Sequence, residues 1–262
     1  MIQVEKVYTE HIPMLIVSKQ DMNNVPLPGF IFLHGFTSAK EHNLHYAYLL
    51  AEKGFRVFLP EAYLHGERED TNTTKELSSS FWKIVITSIK ELHIIKKYIT
   101  EHGLAIHDRI GVGGTSMGAI TTLGALTQYE WIRVGVSMMG NPAYKEFAEY
   151  QLREFEDQEI DLGITGEEKR KVFNTLDELD LSLQPEKLNN RPLFFWHGQK
   201  DPVVPITGVC AFVEEHQEKL ESGLITYIFD QTAGHAVTRK GLLQAVNWIE
   251  EANLRIKNGK ME

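Results

Sequence analysis

The stretch Arg109-Ile110-Gly111-Val112-Gly113-Gly114-Thr115-Ser116-Met117-Gly118-Ala119-Ile120 decides how this chain is read. Arg109 to Gly113 reads as a short buried strand, and Met117 to Gln128 carries apolar residues at the three- and four-residue spacing of a helix. Between them, Gly114 to Gly118 is a G-x-S-x-G placed on a strand-to-helix turn. A serine held on so tight a turn leaves no room for side chains two residues away on either side, hence the glycines. The turn lifts the Ser116 hydroxyl clear of the sheet. The helix that follows brings backbone N–H groups to where negative charge would develop.

Outward from this turn, short β-rich runs alternate with amphipathic stretches, the pattern of a mostly parallel sheet with helices on both faces. Ile2 to Tyr8 and Ile12 to Val17 read as an antiparallel edge pair. Core strands are expected at Phe30 to Leu33, Arg56 to Leu59, Arg109 to Gly113, Val134 to Met138, Leu193 to Trp196 and Ile225 to Phe229. Helices are expected at Leu44 to Lys53, Ser79 to Thr100, Met117 to Gln128, Ile206 to Lys219 and Thr238 to Glu250. The fold class is therefore α/β. The segment from about Pro142 to Asn190, rich in Glu, Lys and aromatics and without a strand, breaks the alternation and reads as a cap-like helical insertion in one domain.

A serine hydroxyl needs a base to take its proton, and the place for one is a loop after the last strand. His235, in Ala233-Gly234-His235, stands there. An acid to orient the base is expected after the penultimate strand, where His197-Gly198-Gln199-Lys200-Asp201-Pro202 supplies Asp201; Asp230 is the rival, five residues before His235. The chain order Ser, Asp, His differs from those of the chymotrypsin and subtilisin folds. Oxyanion donors are expected from the Met117 backbone N–H and, in the turn His34-Gly35-Phe36, from that of Phe36, whose ring also suits a substrate pocket.

The serine turn, His34-Gly35-Phe36 and the His197 to Pro205 segment resemble an α/β-hydrolase of the prolyl-oligopeptidase-like esterase branch, over nearly the whole chain. His34 through Leu59 to Leu64-His65-Gly66-Glu67-Arg68 is similar to the small bacterial esterases of the YitV type. The resemblance implies hydrolysis of carboxylic esters of small acyl groups through an acyl-enzyme, by Ser116, Asp201 and His235, with no cofactor. Peptidases of this branch carry a large N-terminal propeller, for which this chain has no room. A thioesterase, lactonase or amidase would use the same groups. A non-catalytic ligand-binding protein on this fold would be expected to have lost one of the three.

Weaker features carry competing readings. His65 and Arg68 lie in a loop at the same sheet edge, where Arg68 either holds an acidic substrate group or pins the loop. Tyr144, Phe147, Tyr150, Leu152 and Phe155 suit a cap face that closes over the acyl pocket, packing on the core, or a homodimer contact. Glu41-His42-Asn43-Leu44-His45 lacks the His-Glu-x-x-His order of a zinc site, so no metal is expected.

The bulk properties agree with a small-molecule enzyme. With 27 basic and 36 acidic residues in 262, the net charge of −9 disfavours nucleic acid and anionic membrane surfaces. No apolar run approaches the roughly 18 residues of a membrane span. A single cysteine, Cys210, and an N-terminus with acidic residues where a secretory signal has an apolar core point to a reducing cytoplasm.

Overall fold

In the computed structural model, which describes residues 1–70, 73–216 and 223–257, eight strands form one sheet. They are β1 (Ile2–Thr9), β2 (Ile12–Lys19), β3 (Leu27–Leu33), β4 (Arg56–Pro60), β5 (Ala105–Thr115), β6 (Val134–Met138), β7 (Leu193–Gly198) and β8 (Ile225–Asp230). The spatial order is β1-β2-β4-β3-β5-β6-β7-β8; β1 and β2 join antiparallel and β3 through β8 run parallel. The helices are α1 (Leu44–Glu52), α2 (Thr74–Ser79), α3 (Phe81–Glu101), α4 (Met117–Gln128), α5 (Tyr144–Asp157), α6 (Gly166–Leu179), α7 (Thr207–His216) and α8 (Arg239–Lys257). Only the short α2, begun by the Thr73 side chain accepting from the Glu76 N–H, was not expected from the spacing. Residues 217–219 of the helix expected over Ile206 to Lys219 lie outside the described residues.

The period-2 alternation of the strands sorts two cores. Phe30, Phe32, Val57 and Leu59 face α1 and α8, packing with Tyr46, Leu50, Val246 and Ile249. Ile31, Leu33, Phe58 and Val112 face the other way, toward Ile84, Ile89 and Leu92 of α3 and Ile120 and Leu123 of α4. Parallel strands buried on both faces read as continuous apolar runs, which is why they were legible. The inserted segment forms α5 and α6 between β6 and β7, with the Thr165–Glu168 capping box starting α6. Buried Arg191 closes the excursion: its guanidinium donates to the carbonyls of Leu126 at 2.6 Å and Tyr129 at 2.7 Å, at the C-terminal end of α4.

Because β3 through β8 are parallel, the turns after β3, β5, β7 and β8 all emerge at one edge. In open α/β sheets that carboxyl edge is where ligands bind.

Candidate active site

Ser116 sits between β5 and α4 with φ 51° and ψ −117°, a left-handed backbone that a non-glycine residue adopts only when its surroundings enforce it. The surroundings are the crowded contacts that the glycines allow. A methyl group added at Gly114 would lie 2.6 Å from the Leu33 carbonyl oxygen, and one at Gly118 would collide with the same carbonyl. The Ser116 N–H donates to the Met138 carbonyl at 2.8 Å, tying the turn to β6.

Three side chains meet in line here. His235 Nε2 lies 2.9 Å from Ser116 Oγ, and His235 Nδ1 lies 2.7 Å from Asp201 Oδ2. An ionised carboxylate can only accept, so Nδ1 carries the proton and Nε2 is left to accept from the serine hydroxyl. The other oxygen of Asp201, Oδ1, accepts from the N–H groups of Val203 and Val204, each at 2.9 Å. Burial pushes the Asp201 carboxyl up, but hydrogen bonds from His197, His235 and the Val204 and Val203 N–H groups together outweigh it and hold the group well below the usual carboxylate range. The rival Asp230 instead accepts from the Thr232 and Ala233 N–H groups at 3.0 and 3.1 Å, shaping the loop that carries His235. The two loops are clamped together, Lys200 N–H donating to the Ala233 carbonyl at 3.0 Å, and only glycine fits at 198 against the Ala233 and Gly234 carbonyls.

The turn after β3 closes on the same point. A methyl group at Gly35 would lie 3.5 Å from Ser116 Cβ, so the His34-Gly35-Phe36 backbone passes directly beside the serine. The Met117 N–H opens α4, where an amide has no intrahelical acceptor. The two backbone segments in which oxyanion donors are expected thus both lie beside Ser116.

The structure turns His65 and Arg68 toward partners within the protein. His65 is buried; its Nδ1–H donates to the Tyr63 carbonyl at 2.9 Å and its Nε2 accepts from the Thr37 N–H at 3.0 Å, next to Phe36. Burial lowers its pKa, favouring the neutral ring this bonding requires. Arg68 makes a paired contact with Glu91 at 2.6 and 2.9 Å and donates to the Glu61 carbonyl at 2.9 Å, which is the loop-pinning alternative. Tyr144, the first residue of α5, is fully buried, its hydroxyl donating to the Ile120 carbonyl and accepting from the Gly124 N–H. Of the four residues expected to contact substrate, Phe36 alone lines the same cavity as Ser116, half-buried and edge-on to Phe81 at 5.4 Å.

Two features escaped the sequence reading. His197, at the end of β7, is buried with Nε2 donating to the Val204 carbonyl at 2.8 Å, which holds the acid turn. Under the Phe36 turn lies an ionic knot: Lys40, 1% exposed, sits 2.6 Å from both Glu61 and Glu67 and 2.9 Å from Glu41. These three carboxylates converge as metal ligands would, but the Lys40 ammonium is their cation. Burial pushes the Glu61 carboxyl up, yet bonds from His34 and Lys40 outweigh it and lower it to about 2. His34 completes the link, its Nδ1 lying 2.8 Å from the Gly35 carbonyl and its Nε2 3.0 Å from the Ala62 nitrogen and 3.2 Å from Glu61 Oε1. Buried lysine at a loop start carries no local signal in the sequence.

Above Ser116 a cavity of about 760 Å³ opens between α3, α5 and α6.

Residues 85–252 match the model of the prolyl oligopeptidase family. The chain belongs to that family. It is thereby a hydrolase of the α/β-hydrolase fold. Over 257 residues, 95% of the chain and 99% of its relative, it is 46% identical to "Putative esterase YitV" of Bacillus subtilis (strain 168). It is 31% identical over 251 residues to Esterase YjfP of Escherichia coli (strain K12), covering 96% of the chain and 99% of that protein. Among solved structures, TT1662 from Thermus thermophilus shares the fold with a TM-score of 0.76 at 19% identity, over 97% of this chain and 98% of that one. Acetyl xylan esterase 1 from Thermoanaerobacterium sp. JW/SL YS485 does so with a TM-score of 0.66 at 17% identity, over 96% and 87%. No helix among the described residues is long and apolar enough to cross a membrane.

Proposed function

We propose that this family member hydrolyses carboxylic esters of small molecules through an acyl-enzyme on Ser116. The observation that carries the reading is the line from Ser116 Oγ through His235 to Asp201, with hydrogen-bond distances of 2.9 and 2.7 Å. Ser116 Oγ attacks the ester carbonyl as His235 Nε2 takes its proton, and the backbone N–H groups of Phe36 and Met117 receive the oxyanion. Collapse breaks the bond to the alcohol, which leaves with the proton from His235. Water then adds to the acyl-enzyme, giving its proton to His235, and the acid departs as Ser116 recovers its hydrogen. Asp201 keeps the Nδ1–H tautomer throughout. The esterase names of the two bacterial relatives support an ester over an amide. Small acyl groups are the starting expectation, α5 and α6 serve as a cap over the site, and the single cysteine suits a reducing cytoplasm.

The test is hydrolysis of p-nitrophenyl acetate and butyrate by the wild type and by Ser116→Ala, with circular dichroism on both. The expected outcome is a folded variant whose turnover falls by at least about 10⁴-fold. A folded variant with wild-type turnover would show that another group is the nucleophile.

A further inference from the structure

The cavity above Ser116 is far larger than an acetyl group needs. At about 760 Å³ it falls in the range of sites that enclose most of a drug-sized ligand. Its walls are aromatic: Phe36 beside the serine, Phe81 and Trp82 from the start of α3, Phe147 and Phe155 from α5, and Phe173 from α6. The charged groups that line it, among them Lys83, Glu159 and Lys169, are exposed and so belong to its rim. An apolar interior under a charged rim favours burial of hydrocarbon and offers no buried charge to a polar substituent.

The side of Ser116 on which the cavity lies decides which half of an ester it holds. A leaving alcohol must depart past His235, which gives it a proton, and His235 is not among the lining residues. The lining instead runs from Ser116 and Phe36 to α5 and α6, and it meets the acid turn at Val203 and Val204. We propose that this cavity is an acyl pocket that selects linear acyl groups of medium length, octanoyl and decanoyl, over acetyl. The proposal rests on the acyl-enzyme reading and replaces its expectation of small acyl groups. Each buried methylene adds up to about four-fold to kcat/KM.

The test compares kcat/KM for p-nitrophenyl acetate, butyrate, octanoate and decanoate, and for the isomers ethyl octanoate and octyl acetate, which differ only in which side carries the chain. The expected result is at least a ten-fold rise from acetate to octanoate, a preference for ethyl octanoate, and a fall of the octanoate-to-acetate ratio by at least ten-fold in Val172→Trp, which narrows the cavity from α6. A profile that peaks at acetate or butyrate, or a preference for octyl acetate, overturns the acyl pocket and leaves the Ser116 reading standing. Wild-type turnover by Ser116→Ala sinks the nucleophile reading instead. Binding to Ser116→Ala gives a second readout that needs no turnover: titration with octanamide and acetamide, followed by tryptophan fluorescence because Trp82 is in the wall, should show saturation with octanamide alone. An absent response to octanamide, or an equal response to both, overturns the pocket.

Discussion

In the proposed mechanism His235 relays a proton from Ser116 only if its other nitrogen is held protonated, and Asp201 is the carboxylate bonded to that nitrogen. Asp201→Asn keeps the size of the side chain but permits the wrong tautomer, since an amide can donate to Nδ1. The expected outcome is a loss in kcat of about 10⁴-fold with KM little changed, measured on p-nitrophenyl esters with the fold checked by circular dichroism. A loss under ten-fold would mean that something other than Asp201 orients His235. Ser116, Asp201 and His235 were legible because each belongs to a turn with a fixed place after a strand. His65, Arg68 and Tyr144 occupy equally suggestive places, but place does not tell direction. His65 turns under the Thr37 amide, Arg68 toward Glu91 and Tyr144 into α4, each drawn by a partner 20 to 28 residues away in sequence. Gly124 and Tyr144, the nearest such pair, are separated by 20.

In the proposed mechanism the turn after β3 presents its backbone to the reacting carbonyl, and the knot of Lys40, Glu61 and Glu67 anchors that turn. Lys40 bonds Glu61 twice, through its N–H at 3.0 Å and its ammonium at 2.6 Å, so the loop start is bolted to the end of β4. Lys40→Met leaves Glu61 buried and short of its cation, at an expected cost of about 3–5 kcal/mol in urea denaturation. A cost below about 1 kcal/mol would show that water or His34 compensates. Sequence periodicity revealed the strand and helix on either side of this knot, because each repeats over many residues. It revealed nothing of the knot itself, which is assembled from the two loops after β3 and β4, where residues alternate in no pattern.

For the whole molecule, buried carboxylates with depressed pKa tie stability to pH. Glu61 falls from an ordinary 4.5 to about 2, and Asp201 is also held low, so the unfolded chain binds more protons than the folded one below about pH 4.5. Their contribution is present in full above the unfolded values and is lost as pH falls through the folded ones. Urea midpoints are therefore expected to change little from these two groups between pH 7 and about pH 5, then to fall steeply toward about pH 2, each group giving up to about 1.4 kcal/mol per pH unit. Glu61→Gln should flatten that fall; an unchanged slope would remove Glu61 from the account. The sequence by itself determined the order of strands and helices, the two faces of the sheet and the three turns that meet at Ser116, since apolar periodicity and turn chemistry are local properties. Only the tertiary structure decided where His65, Arg68 and Tyr144 point, which cation three carboxylates share, and how much space lies above the serine. Side-chain direction, pairing across loops and cavity size all depend on groups far apart in the chain, and no local pattern records them.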